Sequence, residues 1–192
     1  MYDARRLDVI FVSPALALVL TYVLTGASPS PALAQPAPPS GLTFPREEPG
    51  ACPFECCRYG MWTATSAVTA RRARAGDAPP AFRVAAGETV EVPTGVVVTL
   101  QPGRARAREA VTLDGVRLAP GEEVPVLRYA GEGAWVVWAG GRALATEAEE
   151  AGGPLRVLSR PRTVWWVQIR NWRGETGWSD QPERFSGSDA CG

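Results

Sequence analysis

Histidine is absent from this 192-residue chain, and so is lysine: all 20 cationic residues are arginine. Imidazole is the only side chain that ordinarily titrates between pH 5 and 8. Its absence excludes Ser-His-Asp and Cys-His nucleophile systems and His-ligated zinc. Carboxylate-pair glycoside hydrolysis, which needs only two Asp or Glu, survives on composition. The lysine deficit is what a GC-rich bacterial coding sequence produces. An excess charge of either sign is lacking too, with 20 Arg against 20 Asp and Glu. A neutral surface gives no reason to expect nucleic acid or anionic lipid as a partner, since both are held chiefly through excess positive charge.

Long helical patterns are also missing. Outside the N-terminal stretch, no segment of twelve or more residues keeps an i, i+3, i+4, i+7 apolar stripe free of Gly and Pro. The chain carries 20 Gly and 18 Pro, and from Met61 to about Ser179 turn residues punctuate it every eight to twelve positions. The expected class is all-β. ETVEV (88–92) alternates, and GVVVTL (95–100) is β-branched up to Pro102-Gly103. Runs 123–130 and 134–139 read as strands, the second closed by a Gly140-Gly141 hairpin turn. In TVWWVQIRNW (163–172), Trp165, Val167 and Ile169 share one face and make a core row. Val164, Trp166, Gln168 and Arg170 share the other, which is expected to be half-exposed. In AWVVWA, Val136 and Trp138 oppose Trp135 and Val137, so one pair is less buried unless both faces are covered.

One long apolar run stands out, Val9 to Leu24, broken by Ser13, Pro14, Thr21 and Tyr22. Arg5 and Arg6 precede it, and a Pro/Ser/Ala stretch ends at Ala32-Leu33-Ala34, a small-x-small cleavage pattern. Residues 1–34 are therefore expected to be a signal peptide, with a second possible cut after Ala27. The run falls short of the roughly 20 apolar residues a spanning helix needs. An uncleaved anchor is the alternative; after cleavage no stable membrane span is expected. The mature chain is expected to be exported, periplasmic or extracellular, where cysteines oxidise. Residues 35–60 read as a Pro-rich extended linker followed by a cysteine cluster.

Four cysteines, Cys52, Cys56, Cys57 and Cys191, imply two disulfides. A bond between the neighbours Cys56 and Cys57 would strain the backbone. In the remaining pairings Cys52 closes a short loop and Cys56 or Cys57 reaches Cys191. The long bridge closes about 134 residues and stabilises by roughly 4–5 kcal/mol on the chain-entropy account. A thiolate metal site is the alternative, but Cys52-x₃-Cys56 lacks a second pair at metal spacing. No metal and no cofactor is expected.

Two stretches resemble bacterial Src-homology-3-like domains. TARRARAGDAPPAFRVAAGETVEVPTG (69–95) is similar to the family's opening: an Arg-rich strand, a Gly/Pro loop, an apolar strand and a Gly-Glu turn into the next strand. GEEVPVLRYAGEGAWVVW (121–138) with WWVQIRNWRGETGW (165–178) resembles the remainder. The closing hairpin is carried by Trp166, Val167, Gln168, Ile169, Gly174, Gly177 and Trp178. The resemblance implies one elaborated small barrel or two abutting ones, with units at 61–110 and 111–192. The first unit lacks its own closing Gly-Trp; the second carries an inserted loop and the C-terminal Cys. It implies binding of peptidoglycan, a peptide or a partner protein in the cell envelope, without catalysis. A disulfide-stapled structural or accessory envelope protein with no small ligand is the other reading.

Trp135, Trp166 and Trp172 are the aromatics expected to be partly exposed, as a stacking surface for sugars or a peptide. Arg170 and Arg173 beside them could grip a carboxylate. Capping a small core and decorating a solvated edge are the plainer roles for these five. Glu122, Glu123, Glu147, Glu149, Glu150, Asp180 and Glu183 supply carboxylates for acid–base chemistry, yet no pattern sets two across a cleft. Alternation puts Arg104, Arg106 and Arg108 on one strand face, where an anionic polymer contact is conceivable; Glu109 and the overall neutrality oppose it.

Overall fold

ETVEV and GVVVTL are one strand. A computed structural model of the chain describes residues 41–147 and 152–191, and in it β5 runs unbroken over Thr89–Gln101. Pro93, between those two runs, sits where the ladder slips: Glu91 pairs with Arg170, while Thr94 already pairs with Gln168. At such a bulge a missing N–H removes no ladder bond. Four strands precede β5: β1 (Arg46–Pro49), β2 (Gly60–Ala64), β3 (Val68–Arg71) and β4 (Pro80–Val84). Next come β6 (Gly103–Ala107), β7 (Val111–Leu113), β8 (Val116–Leu118), β9 (Glu123–Gly131), β10 (Ala134–Ala139), β11 (Arg142–Glu147) and β12 (Leu155–Ser159). The last three are β13 (Arg162–Arg170), β14 (Thr176–Ser179) and β15 (Phe185–Ser186), with a 3-10 turn at Pro182–Arg184 between β14 and β15. The expected all-β class holds, and none of the described residues forms a helix long and apolar enough to cross a membrane.

The first sheet is curled and runs β15-β2-β5-β13-β14-β3-β4. On the flank of β5 away from β13, β2 takes the N-terminal half and β1 the C-terminal half. Its enclosed face holds Trp62, Val68, Val84, Val90, Val92, Val167, Ile169 and Phe185. Val167 and Ile169 are fully buried with Trp165 packed against them, as the alternation of β13 predicts. The second sheet runs β11-β10-β9-β6-β12. The hairpin β7–β8 packs Leu113 and Leu118 onto one face of it, against Trp135, Val137 and Leu155. That hairpin turns on Asp114-Gly115, both at positive φ (44° and 82°). Leu42 and Phe44 from the N-terminal arm cover Leu127, Val136 and Trp138 on the opposite face. Both faces of β10 are thus covered, which buries both of its side-chain rows.

Three expectations are corrected by this topology. The β units do not divide at 110/111: β6 to β12 form a sheet inserted between β5 and β13, so the first sheet is discontinuous in sequence. Its physical basis is register, since Arg162 pairs with Gln101 and closes the β5–β13 ladder across the insertion. Gly177 and Trp178, expected in the second unit, lie on β14, which pairs with β3 of the expected first unit. Residues 41–50 are not an extended linker, because Leu42 is buried and β1 is a paired strand. The sequence 35–40 and the expected signal segment 1–34 lie outside the described residues, all of which belong to one compact unit, Ala37–Gly192.

Polar contacts tie the two sheets. The buried Thr99 hydroxyl donates to Leu127 O at 2.8 Å. Arg128 Nε donates to Glu48 Oε2 at 2.6 Å, the two side chains being only 17% and 16% exposed. Arg46 lies over the Trp138 ring, 4.7 Å from its centroid.

Candidate functional site

The turn joining β13 to β14, Asn171–Glu175, carries an exposed tryptophan on an ordered support. Asn171 organises it alone. Its Oδ1 accepts from Arg173 N and Glu175 N, each at 3.0 Å, and its Nδ2 donates to Glu175 Oε2 at 2.8 Å. Its backbone N donates to Glu175 O and its carbonyl accepts from Gly174 N. Gly174 adopts φ 78°, which a side chain would resist. Trp172 projects from this turn 76% exposed, with the Arg173 guanidinium 4.7 Å from its ring centroid. At the same hairpin end a shallow hollow of about 360 Å³ is lined by Arg72, Ala81, Glu175 and Thr176. Gly177 permits this packing, since a Cβ there would stand 2.8 Å from that of Ala70 and 3.2 Å from that of Ala81.

The other expected site residues fall elsewhere. Trp135 is 4% exposed in the second sheet's core, edge-on to Tyr129 with ring centroids 5.1 Å apart. Trp166 is 7% exposed and packs with Val96, Val98 and Trp178 on the outer face of the first sheet. Their expected exposure is corrected: the β7–β8 hairpin covers one, and a row of apolar neighbours on β5 and β14 flanks the other. Arg170 reaches across to its ladder partner Glu91, Nε donating to Oε2 at 2.8 Å, so its charge is already engaged. Only Trp172, Arg170 and Arg173 share one end of the fold. The Asn-x-x-x-Glu bracket around the tip and the Arg72 hollow were missed; an Asn two residues before Arg-Gly is the signal that could have found the first.

The cysteines pair as Cys52–Cys57 and Cys56–Cys191, one of the pairings left open by the spacing. The loop they close lies between the sheets. Phe54 meets Trp165 edge-on at 5.7 Å, and a Cβ on Gly131 of β9 would stand 2.9 Å from Glu55 N. Glu55 brings an oxygen within 4.8 Å of the Cys56 and Cys191 sulfurs, but bonded sulfurs offer no thiolate to a metal. Inside this corner Tyr59 OH donates to Ala51 O at 2.8 Å and accepts from Trp165 Nε1 at 3.3 Å. Burial holds the Tyr59 phenol above its usual pKa, against the lowering effect of the Trp165 bond.

The carboxylates do not converge. Glu123 lies between Arg104 and Arg106, whose guanidiniums hold its carboxyl below the usual range, Arg106 foremost. Glu122 Oε2 accepts from Ala119 N within its own turn, Glu147 ends β11, and Glu183 lies in the 3-10 turn. Glu149 and Glu150 lie outside the described residues. Comparison with protein-family models, with curated proteins and with solved structures yields no match to this chain.

Proposed function

We propose that the protein is an exported, non-catalytic binding module built on a Src-homology-3-like barrel, and that it holds peptidoglycan, a peptide or a partner protein of the cell envelope. The observation that carries this reading is Trp172: a large aromatic, three-quarters exposed, on a turn fixed by five hydrogen bonds to one asparagine. An apolar ring kept in water on a rigid support adds nothing to the core. It can be buried by a ligand at little ordering cost. Arg173 on its face and the hollow bordered by Arg72 and Glu175 add polar groups of both signs to the same end. The barrel reading is supported by where its two outer sequence stretches fall. β3, β4 and β5 of the opening and β13 and β14 of the closing hairpin occupy one sheet, as neighbours in the order β5-β13-β14-β3-β4. Two disulfides suit an oxidising compartment outside the cytoplasm.

Co-sedimentation with isolated cell wall tests the reading. Trp172→Ala should cut binding about tenfold or more, as loss of an exposed aromatic anchor does. Its thermal stability should stay within about 0.5 kcal/mol of the parent. Equal pelleting of parent and variant would overturn the assignment of Trp172. The second reading, a rigid structural part of an envelope assembly, is favoured by the cysteine loop that packs between the two sheets. It predicts a specific protein partner on crosslinking and no affinity for wall or sugar.

A further inference from the structure

The turns Ala85–Glu88 and Ala119–Glu122 are built alike. Gly87 N donates to Ala64 O at 2.8 Å, Ala64 N to Glu88 O at 2.9 Å, Glu88 N to Ala85 O at 3.1 Å and Ala85 N to Glu88 Oε2 at 2.9 Å. Gly121, Ala107, Glu122 and Ala119 repeat these four bonds at the same four distances. Gly87 and Gly121 turn at φ 81° and 82°. The flanking strands repeat as well. Gly60 pairs with Val92 and Trp62 with Val90, as Gly103 pairs with Val126 and Ala105 with Val124. Phe185 lies opposite Ala64, and Leu155 opposite Ala107. In strand order, β15-β2-β5-β13-β14 answers to β12-β6-β9-β10-β11, and the β3–β4 hairpin to β7–β8. One strand plan is thus present twice, the second copy (β6 to β12) set into the first between β5 and β13.

What one copy does without, the plan does not require. Besides the connection that holds the insertion, two connections are longer in the first copy: 72–79 between β3 and β4 against 114–115, and 171–175 between β13 and β14 against 140–141. In each copy these two connections meet. In the second copy they seal. Arg142, which opens β11 as Thr176 opens β14, pairs with Asp114 Oδ2 at 2.7 Å, and a Cβ on Gly140 would stand 2.6 Å from Val116 Cγ2. In the first copy they stand apart around the hollow of about 360 Å³, with Arg72 on one wall and Glu175 on the other. The longer β3–β4 loop is braced by other residues: Arg71 Nη1 donates to Ala78 O at 2.9 Å, and Arg74 pairs with Glu47 and lies 4.9 Å from the Trp178 centroid. Arg74 serves the fold, whereas exposed Arg72 lines the hollow. We infer that the ligand of the Trp172 turn sits in this hollow, that Arg72 is a further residue contacting it, and that the first copy alone binds. The inference rests on the binding-module reading above and locates its site. A guanidinium on the wall of a concave seat beside an exposed indole joins a directional polar contact to burial of the ring. Because both loops are braced, little ordering cost opposes that contact.

Co-sedimentation of the full chain with isolated cell wall, read beside melting temperature, tests this. Arg72→Ser should weaken pelleting about fivefold at an unchanged melting temperature. Thr176→Trp, which fills the hollow from an exposed position, should weaken it about tenfold, and it decides the matter if Arg72→Ser is destabilised. Asp114→Asn/Arg142→Ser, which breaks the seal of the second copy, should pellet like the parent. A folded Arg72→Ser that pellets fully overturns the inference, and a loss with Trp172→Ala in the same assay would still uphold the binding-module reading. Full pelleting by Thr176→Trp overturns it too, as does a loss in Asp114→Asn/Arg142→Ser equal to that in Arg72→Ser. A parent that does not pellet overturns the reading and the inference together.

Discussion

Removing the Cys56–Cys191 bridge should destabilise the fold far more than removing Cys52–Cys57, although both lie in the same corner. The two bridges span 135 and 5 residues. If a cross-link acts by restricting the unfolded chain, those separations correspond to about 5 and about 2 kcal/mol. The native state gives little reason to alter that order. Without its bridge the C-terminal segment stays docked through Arg58 N to Ser188 O and Ala190 N to Cys56 O, both at 2.8 Å, and Arg58 Nε to Gly187 O at 3.2 Å. Residual structure in the unfolded chain reduces both figures. The expectation is then a loss of about 3–5 kcal/mol for Cys56→Ser/Cys191→Ser and about 1–2 kcal/mol for Cys52→Ser/Cys57→Ser. Urea denaturation of the two paired variants measures it. The long-bridge variant should also show a larger m value, because its unfolded chain exposes more surface. Its melting temperature should fall by roughly 10 °C. Equal losses, or a greater loss for the short bridge, would refute the loop-length argument and place the effect in native contacts of the cysteine corner.

Three further perturbations probe how the sheets are joined and held. Glu48→Gln should cost about 2–3 kcal/mol in chemical denaturation, because it leaves the mostly buried Arg128 guanidinium without its counter-charge, while Glu48→Leu/Arg128→Met should cost less than the single change. Gly103→Ala should cost about 2 kcal/mol or more, since its Cβ would stand 2.2 Å from Ser159 O, whereas Gly76→Ala, with open space around it, should change little. Tyr59 has its folded pKa raised above 10.0 by burial, so the stability linked to its neutral form is complete below about pH 10 and is lost as pH climbs through the higher folded value. Tyr59→Phe should flatten that alkaline decline in a pH series of melting temperatures; an identical decline in both proteins would assign it to other groups.

Much of the fold was legible residue by residue where the signal is local. Alternation located β9 and β10, Gly140-Gly141 marked the turn into β11, and the period of two in β13 put Val167 and Ile169 in the core. The Asp114-Gly115 hairpin was equally local and was overlooked, though Asp-Gly between apolar runs is a strong turn signal. What escaped depends on partners distant in sequence. The runs 88–92 and 95–100 read separately until pairing with β13 shows one strand, with Val92 and Pro93 bulged opposite Ile169. Trp135 and Trp166 read as exposed because alternation assigns a side chain to a face and says nothing of what lies over that face. For Val136 and Trp138 the cover is Leu42 and Phe44, about 90 residues upstream by sequence number. The candidate site follows the same division: Trp172 and Arg173 could be picked out by type, but their support by Asn171 is a matter of turn geometry.

The inserted sheet shows why such a fold tolerates sixty residues between two paired strands. An insertion costs loop-closure entropy only to the extent that its ends must be brought together. Here they already meet: Gln101 and Arg162 are ladder partners, and Gly103 lies against the backbone of Ser159, Arg160 and Pro161. Pro102 and Pro161 stiffen the two crossings at this neck. The insert then contributes burial of its own, because β7–β8 gives the second sheet an apolar cover that the first sheet does not have to provide. The ties between the two sheets are Thr99 to Leu127, Glu48 to Arg128 and the arm over Trp138.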